Sequence, residues 1–143
     1  MSDYPQPFSR LLHLTAHAWR LAVDRRLKES GLSMSSWMAI ASVATAAEPP
    51  TQKALAQLLG LEEASVVPLV DRLVKQQLLA RVQPLEDRRK RLLILTEQGS
   101  VAFAEVKTQA DALRAQLLAD IDPESLAITE QVLKQLLARL GSV

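Results

Sequence analysis

A chain of 143 residues with 48% apolar side chains can build one compact core, or a small domain carrying an extension. It has no cysteine, which excludes structural disulfides, thiolate nucleophiles and cysteine-ligated zinc ribbons. A formal charge of +1 singles out no partner, and two Trp, one Tyr and two Phe are too few for single-strand binding by base stacking. No apolar run approaches the roughly 18 residues of a membrane span, and the opening MSDYPQPFSR lacks a signal peptide's basic end and apolar block. The expectation is a cytoplasmic protein with no membrane partner.

Helix signals dominate the chain. Phe8 to Leu27 places Phe8, Leu11, Leu12, Leu14, Ala18, Trp19, Leu21 and Ala22 on one broad stripe, with a break at Ser30-Gly31. Ser33 is positioned to cap a second helix containing Met34, Trp37, Ile40, Ala41 and Val43, which ends before Glu48-Pro49-Pro50. Thr51 caps a short third helix, Gln52 to Leu59, and Gly60 stops it. From Val66 to Leu78, Val66, Val67, Leu69, Val70, Leu73, Val74 and Leu78 recur at helical spacing, leaving Asp71, Arg72, Lys75 and Gln76 for the open side.

The pattern then changes. Leu79-Ala80-Arg81-Val82 and Leu92-Leu93-Ile94-Leu95 read as short strands bounded by Pro84 and Thr96. Between them, Leu85-Glu86-Asp87-Arg88-Arg89-Lys90-Arg91 is too charged to be a buried turn. After Thr96 a long helix begins, with Val106, Ala110, Leu113, Leu117 and Ile121 along one side. Asp122-Pro123 caps a last helix that buries Leu126, Leu133, Leu136, Leu137 and Leu140, and Gly141 ends it.

Helix, glycine turn, helix and a basic two-stranded ribbon is the order of a winged helix-turn-helix. The fold class expected is therefore mainly α with a small β-hairpin wing. Residues 79–96 carry Arg81, Arg88, Arg89, Lys90 and Arg91 against Glu86 and Asp87, a local +3 in a chain of total +1. That concentrates cationic charge where a wing meets phosphate. Thr51 and Gln52 stand where the supporting helix would meet the DNA backbone, and Arg72 lies on the open side of the next helix. The competing reading of the ribbon is a solvated hairpin whose charges prevent edge pairing. The terminal helices are too apolar to stand free. They are expected to pack against a second copy, the alternative being a bundle within one chain. The division is residues 1–32 as an N-terminal dimerisation helix, 33–96 as the DNA-binding domain and 97–143 as C-terminal dimerisation helices.

The stretches AWRLAVDRRLKESGLSMSSW, QKALAQLLGLEEASVV, VDRLVKQQLLAR and DRRKRLLILTEQG resemble the multiple antibiotic resistance regulator (MarR) family, and within it the SlyA-like branch. The resemblance covers Leu11 to Gly99 by motif and the rest by helix arrangement. It implies a triangular homodimer held by its terminal helices, with a winged helix-turn-helix at each lower corner. It also implies a transcription factor, repressor or activator, on inverted-repeat double-stranded DNA, often released by a small aromatic or anionic effector. Arg88 matches the wing arginine that enters the minor groove, while Asp87 and Arg89 match neighbours shaping the tip, and Lys90 and Arg91 extend its charge. Ser65, Val66 and Val67 match the exposed front of the recognition helix. Ser36, Trp37 and Ile40 match positions lining a ligand crevice, although Trp37 reads equally well as a core residue.

Two positions depart from that pattern. Pro68 stands where relatives carry a DNA-contacting arginine, and proline fits only a helix's first turn without cost. The helix is therefore expected to start late, near Ala64 or Ser65, or to be distorted at Pro68. Gln77 stands where relatives have a left-handed glycine. Pro68 also opens a rival class, a winged-helix protein-interaction module with weakened DNA binding. An enzyme is not expected, because His13 and His17 are the only histidines and no catalytic set can be assembled around them. No cofactor is expected. The two histidines, four apart on one helix face, make a metal site conceivable, but no acidic residue sits beside them to complete it.

Overall fold

The protein is described here by a computed structural model covering residues 7–141. In chain order it has α1 (Phe8–Arg26), a single 3-10 turn, α2 (Met34–Thr45), α3 (Gln52–Leu59) and α4 (Glu63–Lys75). The ribbon strands β1 (Leu79–Val82) and β2 (Leu92–Leu95) follow, then α5 (Glu97–Leu118) and α6 (Pro123–Leu140). The chain divides into two compact units, the first running to Asp111 and the second starting at Ala112.

Local chemistry sets most element ends in the first unit. Gly31 takes a left-handed φ of 77° after the 3-10 turn Lys28–Ser30. The α2 N-terminus has two caps: Ser33 Oγ accepts from Ser36 N at 3.1 Å, and Asp24 of α1 accepts from Met34 N at 2.6 Å. Thr51 Oγ1 accepts from Ala54 N at 3.1 Å and opens α3. Gly60, with φ 67°, closes it through paired bonds from Leu61 N to Ala56 O and from Gly60 N to Gln57 O.

Eight side chains, Leu27, Ile40, Leu55, Val66, Val70, Leu73, Leu79 and Leu93, are almost wholly buried and form the centre of this unit's core. They come from the end of α1, from α2, α3 and α4, and from one position on each strand. The strands pair antiparallel, Leu79 with Leu95 and Val82 with Leu92, and the sheet gains a short bridge between Thr51 and Leu92. Leu93 N also donates to Pro50 O at 2.8 Å, so the segment before α3 anchors the ribbon's base.

Helix α4 corrects one expectation. It begins at Glu63, capped by Glu62 without a side-chain bond, and it continues through Pro68 to Lys75. Pro68 is its sixth residue and leaves the carbonyl of Ala64 without its helical donor. A proline inside a helix costs about 3 kcal/mol. Burial of Val66, Leu69, Val70 and Leu73 contributes about 1.5–3 kcal/mol each as an upper estimate, so packing outweighs the proline and holds the helix. Gln77 does adopt the left-handed conformation, with φ 63°.

In the second unit, Asp122 Oδ2 accepts from Ser125 N at 3.1 Å and Pro123 occupies the first turn of α6. No residue of α6 is buried. Leu137 and Leu140, expected to be buried between terminal helices of two copies, are 70% and 62% exposed in the single chain. Along α1, Phe8, Leu11, Leu12, Leu14 and Leu21 are exposed in the same way.

Candidate nucleic-acid interface

The buried stripe of α4 is Val66, Leu69, Val70 and Leu73. At 3.6 residues per turn, Ala64, Pro68 and Lys75 lie opposite it, flanked by Ser65 and Arg72 on one side and by Val67 and Asp71 on the other. All seven are exposed. Val66 is 0% exposed and Val67 38%, so Val66 is corrected from a DNA-facing residue to a core residue. The signal was present in the sequence, because Val66 is the first member of an i, i+3, i+4, i+7 series. The exposed face thus presents one hydroxyl, two cations, the Asp71 carboxylate and the apolar surfaces of Ala64, Val67 and Pro68. Glu62 and Glu63 at the helix start complement the positive end of the helix dipole.

The ribbon tip is internally braced. Asp87 Oδ1 accepts from Arg89 N at 3.0 Å and from Arg89 Nε at 3.3 Å. Lys90 N donates to Asp87 O at 3.2 Å, and Gln83 Nε2 donates to the carbonyl of Arg88. These bonds fold residues 83–90 into two successive turns. Arg88, Lys90 and Arg91 are exposed around them, and Leu85 in the first turn is 96% exposed. Asp87 is half-buried and pairs with Arg89.

Arg81 is placed differently from the other cations. Its guanidinium Nη2 donates to Asp71 of α4 and, at 3.2 Å, to Gln52 Oε1 of α3. One side chain therefore ties β1 to both helices of the helix-turn-helix. Arg81 and Gln52 act on one another here, and the side chain of Arg81 is only 28% exposed. Thr51 uses its oxygen as the α3 cap while remaining half-exposed beside Gln52. Asp71 and Gln83 were not anticipated as site residues. Their partners lie ten and five positions away, beyond the reach of helical or strand periodicity.

The crevice near α2 opens on the other side of that helix from the one expected. Ser36 and Ile40 are buried, and Trp37 stacks on Phe103 of α5 with ring centroids 5.5 Å apart and planes at 16°. Trp37 is thus a packing residue. A concavity of about 220 Å³ is lined instead by Ala16, Arg20, Met34, Ser35, Met38, Leu59 and Leu61. In it Arg20 Nη2 donates to Ser35 Oγ at 2.8 Å, the polar spot in a mostly apolar wall. His13 and His17 stack with centroids 6.4 Å apart on α1, and no third metal-ligating side chain joins them among the described residues.

A sequence model of the MarR family matches residues 32–90, the segment from the start of α2 to the ribbon tip. The chain is similar to the solved transcriptional regulator PA3341, at 37% identity over 95% of this chain and 99% of that one, with a TM-score of 0.86. It is also similar to CouR of Rhodococcus jostii RHA1, solved with p-coumaroyl-CoA, at 25% identity over 94% and 95% of the two chains and a TM-score of 0.85. The S. aureus MepR–DNA complex shares the fold at 19% identity, covering 93% and 96%, with a TM-score of 0.83. With the helix-turn-helix, braced cationic ribbon and flanking helices in the same order as these proteins, the chain belongs to the MarR family of transcriptional regulators.

Proposed function

We propose that this protein regulates transcription as a homodimer that binds inverted-repeat double-stranded DNA. The observation that carries this reading is the exposed face of α4 beside a tip whose own hydrogen bonds keep Arg88, Lys90 and Arg91 outward. In this reading Ser65, Val67 and Arg72 meet the major groove, while Arg88 enters the flanking minor groove, whose narrow form concentrates negative potential. Thr51, Lys90 and Arg91 approach phosphates. Arg89 and Arg81 act mainly by holding the tip and the ribbon base. Residues 33–96 form the DNA-binding part, and residues 1–32 and 97–143 supply the helices that pair two copies. The uncovered leucines of α1 and α6 support that pairing. DNA-bound relatives of the same fold, S. aureus MepR and E. coli MarR, support the choice of partner.

The crevice beside Arg20 suits a small aromatic or aliphatic acid, with its carboxylate on the guanidinium and its body against Met34, Met38, Leu59 and Leu61. The Rhodococcus relative solved with p-coumaroyl-CoA supports an effector that carries an aromatic group. Such a ligand releases DNA only by its differential affinity for the two spacings of the DNA-binding parts. A protein-interaction module without DNA binding loses ground because Pro68 leaves α4 continuous.

The test is fluorescence anisotropy of a labelled duplex at several salt concentrations. Binding should weaken steeply with salt, and Arg88→Ala should cost about 1–3 kcal/mol and reduce the salt slope by about one. Retention that ignores salt, or an Arg88→Ala protein indistinguishable from the parent, overturns the proposal.

A further inference from the structure

Leu85 sits in the first turn of the braced ribbon tip and is 96% exposed, more than any other large apolar residue among the described residues. Isolated surface leucines are common and need no explanation. This one differs in its setting. It follows Pro84, whose ring fixes its own backbone φ, and it lies in the first of two successive turns, inside the loop closed by the Gln83–Arg88 bond. The Gln83–Arg88 bond closes the loop that carries Leu85, whose side chain is turned to solvent. Around it stand Arg88, Lys90 and Arg91, exposed, with Glu86 as the one exposed carboxylate and Asp87 engaged by Arg89.

An apolar group held out among cations fits a surface with anionic walls and an apolar interior. The minor groove of duplex DNA is such a surface, with phosphates along its rims and sugar and base edges between them. We propose that Leu85 is a specificity-determining wedge, pressed into the minor groove beside Arg88 and partly unstacking one base-pair step at each flank of the site. This rests on the DNA-binding reading given above. The inserted leucine would favour flanks containing easily deformed pyrimidine–purine steps, giving a sequence preference at positions that receive no hydrogen bond.

The test uses the full-length protein and a duplex enriched by selection from random-sequence DNA, with 2-aminopurine placed in turn at each flanking step. The parent protein should raise 2-aminopurine fluorescence at one step per half-site. Leu85→Ser should abolish that rise and weaken the selected duplex roughly tenfold, with the salt slope unchanged because no phosphate contact is lost. Leu85→Met should restore most of the binding and the signal. A side chain so exposed makes no folding contribution, and unchanged circular dichroism of Leu85→Ser confirms it.

Parent-like affinity and signal in Leu85→Ser, while Arg88→Ala loses affinity and slope, overturn the wedge and leave the wing contact standing. If Arg88→Ala is also parent-like, or no duplex is enriched, the wing reading falls and the wedge with it. Binding of the parent, but not Leu85→Ser, to anionic phosphatidylserine vesicles with no effect on DNA would assign the residue to a membrane surface and overturn it equally.

Discussion

Replacing Gln77 by glycine is predicted to stabilise the protein. Helix α4 ends in the same paired-bond turn as α3: Leu78 N donates to Leu73 O at 2.9 Å and Gln77 N to Val74 O at 2.9 Å. In α3 the left-handed position is Gly60, with φ 67°, whereas in α4 it is Gln77, with φ 63°. A side chain in that region costs about 1–2 kcal/mol through its β-carbon. Glycine removes the clash but gives back about 0.4–1 kcal/mol by loosening the unfolded chain. The Gln77 side chain is exposed, so little packing is lost. The net expectation is a gain of about 0.5–1 kcal/mol. With a urea m-value of about 2 kcal/mol/M, the midpoint should rise about 0.3–0.5 M at fixed protein concentration, with m unchanged. Gln77→Ala keeps the β-carbon and should match the parent, and Gly60→Gln should lose about what Gln77→Gly gains. A glycine variant no more stable than the alanine variant refutes the argument, since the strain would then not reside at the β-carbon.

Four further outcomes are expected. Pro68→Ala restores a donor to the Ala64 carbonyl and should raise stability by about 1–3 kcal/mol in the same urea assay; an unchanged midpoint would show that α4 has already absorbed the proline's cost. Gly99→Ala should lower stability by about 1–3 kcal/mol or more, because a β-carbon there would lie 2.0 Å from the Leu78 carbonyl oxygen; thermal melting detects it, and an unshifted melt contradicts the close approach. A double-mutant cycle of Asp71→Ala and Arg81→Ala should give a coupling of about 0.2–1 kcal/mol, kept small by the exposure of Asp71, and strict additivity would mean the clamp does not act as a pair. Leu137→Glu should shift sedimentation toward monomer without unfolding the subunit, and a parent protein that is already monomeric at micromolar concentration would remove the basis for pairing through α6.

Several features of this molecule are written in short stretches of its sequence. Ser33, Thr51, Gly60 and Asp122-Pro123 mark helix ends because capping chemistry acts within about four residues. The strands Leu79–Val82 and Leu92–Leu95 occupy the residues read from apolar runs bounded by Pro84 and Thr96. The charge of the tip is likewise visible, since no buried turn tolerates it.

Tertiary structure decided what spacing leaves open. The i, i+3, i+4, i+7 series that Val66 opens singles it out from Val67, and packing against α3 and the ribbon then buries that stripe and leaves Val67 exposed. Arg81 looks like another phosphate-seeking cation until folding brings it to Asp71 and Gln52 from two other elements. The concavity beside α2 is lined by Ser35 and Met38, on the helix face opposite Ser36 and Trp37, and Trp37 is drawn onto Phe103, 66 positions along the chain. Caps and strand formers act through neighbours in sequence, so one chain segment suffices to specify them. Contacts between elements depend on how those elements dock, and that geometry exists only once the core has closed.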